Sequence, residues 1–180
     1  MISQETSNKI SGGVQRYAYL IENDYKKEYI LEVVNYLIER LPGKREFTKS
    51  FSTLGWSHED PAYNDSSNKR KVQIALSTIE FIKTGVTSIG DFTIEHILPD
   101  SVGNNALIGN LLPLEDNINH NCKDKTLQNK ITYYQESNFR SVRDFVSKCN
   151  IEEFDPKNRA NQMASIIYDK LKSTSKEIRL

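Results

Sequence analysis

Apolar and polar positions follow one another in blocks that predict a mostly helical chain with one short β segment. Residues 1–13, MISQETSNKISGG, are polar and closed by Gly12-Gly13, which predicts a flexible lead-in. From Val14 the pattern turns helical. Tyr25, Tyr29, Val33, Leu37 and Leu41 recur at i, i+4, with Ile30, Val34 and Ile38 beside them, and define one apolar face. Asn23 or Asp24 is a candidate cap for this helix, and Pro42-Gly43 ends it. A polar, turn-rich stretch follows through Ser67. Val72, Ala75, Leu76, Ile79 and Ile82 then mark a second amphipathic helix, stopped at Gly85.

The period changes beyond residue 88. Phe92-Thr93-Ile94 reads as a short strand running into Glu95-His96-Ile97-Leu98-Pro99. A loop rich in Gly and Asn, Asp100 to Asn105, leads to a second apolar run from Ala106 to Leu114, interrupted by Gly109-Asn110. Polar residues from Glu115 to Asn121 open into a helix with Leu127, Ile131 and Tyr134 on one side. Two further helical patterns cover Val142 to Cys149 and the segment of Ala160, Met163, Ile167 and Leu171. The order predicts an α+β fold, with a single domain over 14–180 built from a helical part (14–88), a strand–loop–strand–helix block (89–137) and C-terminal helices (138–180).

Composition narrows the function classes only slightly. A chain of 180 residues with 37% hydrophobic content is long enough for one globular domain. No run approaches the roughly 20 apolar residues of a membrane span, and the first residues lack a signal-peptide core, so no membrane partner and a cytoplasmic location are expected. Lys plus Arg (24) equals Asp plus Glu (24), which gives no global positive field for nucleic acid. Cys122 and Cys149 form no CxxC pair and read as reduced thiols.

Candidate chemistry concentrates in the middle of the chain. His58, in Trp56-Ser57-His58-Glu59-Asp60, suits a surface or capping role, and His120, between two asparagines, suits either a ligand or a solvated residue. His96 directly follows a carboxylate at the end of a strand. Neighbours in a regular strand point to opposite faces, so Glu95 and His96 serve one centre only if the backbone leaves the strand or they approach from two sides. Asn110 interrupts an apolar run, where a buried amide left unpaired costs about 1–3 kcal/mol. Asn119, nine residues on, is either a helix N-cap or a ligand.

The sequence Phe92-Thr93-Ile94-Glu95-His96-Ile97-Leu98-Pro99, then Ile108-Gly109-Asn110-Leu111, Asn119 and Lys130, resembles the ββα-metal (HNH) nuclease motif. The intervals of 14 residues from His96 to Asn110 and nine to Asn119 look like the HNH domain of RNA-guided CRISPR effector nucleases. The wording is closer still to the C-terminal domain of GmrSD-type modification-dependent restriction and phage-defence proteins. The resemblance implies a metal-dependent endonuclease acting on DNA, with or without modified bases, as a restriction or anti-phage effector. It implies His96 as general base, its unperturbed pKa of about 6.5 leaving it largely neutral at pH 7. Glu95 and Asn119 would be ligands of one Mg²⁺ or Mn²⁺, with His120 an alternative ligand, and Asn110 would hold the loop and the histidine in place.

Two lysines extend this reading. If the helix starts near Asn119, steps of four and eleven residues place Lys123 and Lys130 on nearly one face, either near a phosphate backbone or simply solvated. Arg40, Lys44, Arg45 and Lys49, then Lys69-Arg70-Lys71, are the densest basic clusters. The chain lacks the CxxC pairs of many HNH nucleases and shows no nucleotide-binding motif, so a separate nucleotide-hydrolysing or DNA-sensing domain or protein is expected as partner. RNA is not excluded as substrate. The alternative reading is a non-catalytic, helical protein-interaction module that keeps an HNH-like centre as scaffold.

Overall fold

The computed structural model describes residues 4–103 and 105–177, with side chains from residue 10 to residue 174. It is an α+β fold dominated by helices. In chain order the elements are α1 (Gln4–Asn23), α2 (Lys27–Glu39), α3 (Lys44–Phe51), α4 (Ser66–Thr84), β1 (Thr93–His96), β2 (Leu111–Leu114), α5 (Asp116–Cys122), α6 (Leu127–Tyr134), α7 (Arg140–Lys148) and α8 (Pro156–Glu177). Single 3₁₀ turns at Asp100–Val102 and Ile108–Asn110 lie between the strands. No helix among the described residues is long and apolar enough to cross a membrane.

The chain divides into two compact units, Met1–Phe51 with Ala164–Leu180, and Ser52–Met163. This differs from the single body expected from residue 14 onward, and the second boundary falls inside α8.

In the first unit, residues 4–13 form the first half of α1 rather than a flexible lead-in; residues 1–3 lie outside the described residues. Propensity disfavours Gly in a helix by about 1 kcal/mol, but tertiary packing overrides it. At Gly13 an added Cβ would collide with the Tyr36 ring, so the missing side chain lets α2 approach α1 closely. Tyr17 and Tyr36 pack with ring centroids 5.9 Å apart. Asn23 does not cap α2; its Nδ2 donates to the Tyr19 carbonyl at 2.8 Å at the end of α1. The turn-rich stretch after Pro42 contains α3, whose Phe47 and Phe51 are buried one helical turn apart. Phe47 meets Tyr168 of α8 at 5.5 Å, and Lys44 pairs with Asp169 at 2.8 Å.

The second unit holds the sheet. Asp65 caps α4 by accepting from the Asn68 N–H at 2.8 Å, and Gly85, in the left-handed region at φ 72°, ends the helix as the sequence predicts. β1 and β2 pair antiparallel in the register Thr93–Leu114, Ile94–Pro113, Glu95–Leu112 and His96–Leu111. A core of Ile97, Leu112, Leu114, Ile118, Leu127, Tyr134, Phe139 and Val142 joins this hairpin to α5, α6 and α7. α4 packs on α7 and β2 and presents Val72, Leu76 and Ile79 as buried residues. The single helix expected to open out of Glu115 to Asn121 and carry Leu127, Ile131 and Tyr134 is two helices, α5 and α6. Lys123 adopts φ 41° and closes α5, so α6 starts afresh at Leu127.

The start of α8 lies directly against the turn before β2. Arg159 donates from Nη1 to the carbonyls of Gly109 (2.8 Å) and Leu111 (3.0 Å). A Cβ on Gly109 would overlap the Pro156 carbonyl and approach the Ala160 nitrogen at 2.8 Å. Both are backbone atoms, so relief requires α8 to shift. Gly109→Ala is therefore expected to lower unfolding free energy by about 1–3 kcal/mol in a urea titration. Gly12→Ala, whose added Cβ meets nothing within 4 Å, should not lower it.

Candidate functional site: the His96 hairpin

The hairpin is built around one amide. Asn110 is fully buried, and its Oδ1 accepts from the Leu98 N–H at 2.8 Å. Its Nδ2 donates to the carbonyls of Leu98 (2.9 Å) and Asn105 (2.8 Å). The backbone adds Ile97 N–H to the Asn110 carbonyl at 2.8 Å, and Asn105 Nδ2 reaches the Pro99 carbonyl at 2.7 Å. The amide that interrupts an apolar run is thus satisfied by the very segment that follows His96. It fixes where β1 ends.

β1 remains regular through His96, and that decides which side chains meet. The two-residue period places Thr93 and Glu95 on one face and Ile94 and His96 on the other.

On the first face stand the helices. Glu95, 4% exposed, accepts at Oε1 from Tyr134 Oη and from Lys130 Nζ, both at 2.8 Å. Burial pushes the Glu95 carboxyl above its ordinary value, against the pull of Lys130 and Tyr134. Asn119, inside α5 rather than at its cap, donates from Nδ2 to Thr93 Oγ1 at 2.7 Å and to the Ile94 carbonyl at 3.4 Å. His120 is exposed beside it. Cys122, buried on the same helix, has its thiol pushed up to about 12, chiefly by burial, and so stays protonated.

On the other face His96 meets the loop before α4. Its Nε2 lies 3.0 Å from the Trp56 carbonyl, and because a carbonyl only accepts, Nε2 carries the proton and Nδ1 is the basic nitrogen. The Trp56 and His96 ring centroids are 5.7 Å apart, and His58 stands 4.3 Å from Trp56. Asp100 Oδ1 is 3.7 Å from Nε2. The same carboxylate accepts from Ser57 Oγ at 2.6 Å and from the His58 N–H at 2.7 Å, tying loop to hairpin. Burial pushes the His96 imidazole below its usual range, with Asp100 opposing. Burial also works against the Asp100 carboxylate, but Ser57, the His58 amide and His96 outweigh it and hold that group below the usual carboxylate range.

The four residues expected to converge therefore separate. Glu95 and Asn119 share the helix-facing side with Lys130, His96 faces the Trp56 loop, and Asn110 holds the turn between the strands. These partners do not assemble an open oxygen-ligand set for Mg²⁺ or Mn²⁺ beside the imidazole. The expectation that Lys123 and Lys130 share a phosphate-facing surface is corrected. The break at Lys123 separates their helices, and Lys130 is 0% exposed, with Nζ bonded to Glu95 and to the His96 carbonyl.

Three participants escaped the sequence reading. Trp56, Ser57 and Asp100 meet at His96 through the bridge between Gly55 and Leu107, which no local period announces. The available signals were the chain's one tryptophan and an aspartate four residues after the histidine. On the loop side of the hairpin, Lys69 places its Nζ 4.8 Å from the centroid of the Trp56 ring. The chain matches no family model, no curated protein and no solved structure.

Asn110→Ala removes three hydrogen bonds from a buried amide. It should cost about 2–3 kcal/mol of stability and speed amide exchange at Leu98, read by thermal unfolding and by hydrogen exchange.

Proposed function

We propose that this chain is an endonuclease that hydrolyses DNA phosphodiester bonds, the effector of a restriction or anti-phage system, with His96 as general base. One observation carries the reading: a neutral imidazole at a strand end, anchored through Nε2–H to the Trp56 carbonyl, with Nδ1 left to accept a proton. In this step Nδ1 takes the proton of a water while the water oxygen bonds to phosphorus. The bond from phosphorus to the leaving oxygen breaks, and that oxygen is protonated by solvent. The Asp100 carboxylate, 3.7 Å from Nε2, stabilises the imidazolium that forms. Lys69, held over Trp56, supplies a cation on the side of the hairpin that the imidazole faces.

A second reading, a non-catalytic helical interaction module that keeps the hairpin as scaffold, is favoured by the pairing of Glu95 with Lys130. Its carboxylate and ammonium neutralise each other inside the fold, as a structural centre requires.

Nicking of supercoiled plasmid in Mg²⁺ or Mn²⁺, on DNA with and without modified bases, separates the two. The nuclease reading expects His96→Ala to abolish nicking, a loss of at least about 100-fold for a general base, while the variant stays folded by circular dichroism with a melting temperature lowered by the loss of the Trp56 hydrogen bond. It also sets the acid limb of the rate below the ordinary imidazole range, because burial lowers the His96 pKa. At pH 6.5 more than half of the plateau rate should remain. A wild type that nicks no substrate, or nicks as fast without the imidazole, favours the scaffold.

A further inference from the structure

Glu95 and Lys130 are the most deeply buried ion pair among the described residues, with side chains 5% and 1% exposed. A buried ammonium must find acceptors, because an unpaired charge inside a protein is strongly unfavourable. Lys130 finds two, the Glu95 carboxylate and the His96 carbonyl, and so bridges the carboxylate to the end of β1. Tyr134, one turn along α6, donates to the same Oε1 and completes the shell. A divalent cation needs this carboxylate at about 2.0–2.6 Å, yet a unit positive charge already stands 2.8 Å from Oε1.

We propose that the Lys130 ammonium is the resident cation of Glu95, standing where the family resemblance sets a divalent metal. This side of the hairpin is then complete without a metal, and a divalent ion enters only once Lys130 is removed. The inference goes beyond the nuclease reading and holds under either proposed function. Any ion used in cleavage would be held by other groups.

The test is Mn²⁺ titration of the full chain, followed by electron paramagnetic resonance and by line broadening of backbone amides. Wild type and Glu95→Gln should bind Mn²⁺ equally, within twofold, with no selective broadening at residues 95 and 134. Lys130→Met should gain at least tenfold in Mn²⁺ affinity, and the gain should vanish in the Glu95→Gln, Lys130→Met double variant. Each single substitution should lower the melting temperature by about 10 °C, since each strands a buried charge or polar group, and the double variant by less than the sum. Two results overturn the inference: Glu95→Gln weakening Mn²⁺ binding tenfold or more while Lys130 is present, or a folded Lys130→Met that gains no Glu95-dependent site. If Lys130→Met does not fold, wild type against Glu95→Gln alone decides. No readout uses cleavage, so an inactive protein leaves the result unaffected.

Discussion

The antiparallel ladder between Thr93–His96 and Leu111–Leu114 is the constraint on which the rest depends. Because the pairing holds to the last residue of β1, adjacent side chains must part, and the chemistry divides into two chambers. One, against α5 and α6, contains Glu95, Lys130, Tyr134 and Asn119 and pairs its buried carboxylate with an ammonium. The other, against the Trp56 loop, contains His96 and Asp100 and retains some contact with solvent. A bulge at Glu95 would have merged them. The register instead keeps the His96 imidazole apart from a carboxylate that is paired with Lys130.

What holds the ladder in that register is mostly not the ladder, which has only four residues per strand. The Asn110 carboxamide gathers the backbone on both sides of the turn, Arg159 caps two carbonyls from α8, and the bare Cα of Gly109 permits that helix to sit so close. Ile108, Gly109 and Asn110 thus act as one unit. The first fills the core, the second makes room, and the third satisfies the polar groups that the strand end exposes.

Much of this organisation is legible in the residues themselves. The apolar spacing of α2 and α4, the stop at Gly85, the two short strands and the significance of a buried Asn110 all follow from periodicity and from the need to pair polar groups. Three features are not. The first half of α1 is helical in spite of its glycines because Tyr36 packs onto Gly13, a contact between distant residues. α3 is too short for a period to stand out, although Phe47 and Phe51 mark its buried side. The partition of Glu95 from His96 turns on whether a strand is regular at its final residue, and that depends on Asn110 and on a loop some 40 residues upstream. The Lys123 corner is similar, since a positive φ at lysine carries no sequence signature.

The location of Trp56 has a practical consequence. It is the sole indole in the chain, packed between two imidazoles and beneath an ammonium group. Protonated imidazole quenches indole emission more strongly than the neutral ring does. The intrinsic fluorescence of the unlabelled protein therefore reports on the ionisation of His96, and an anion drawing Lys69 away would register in the same spectrum.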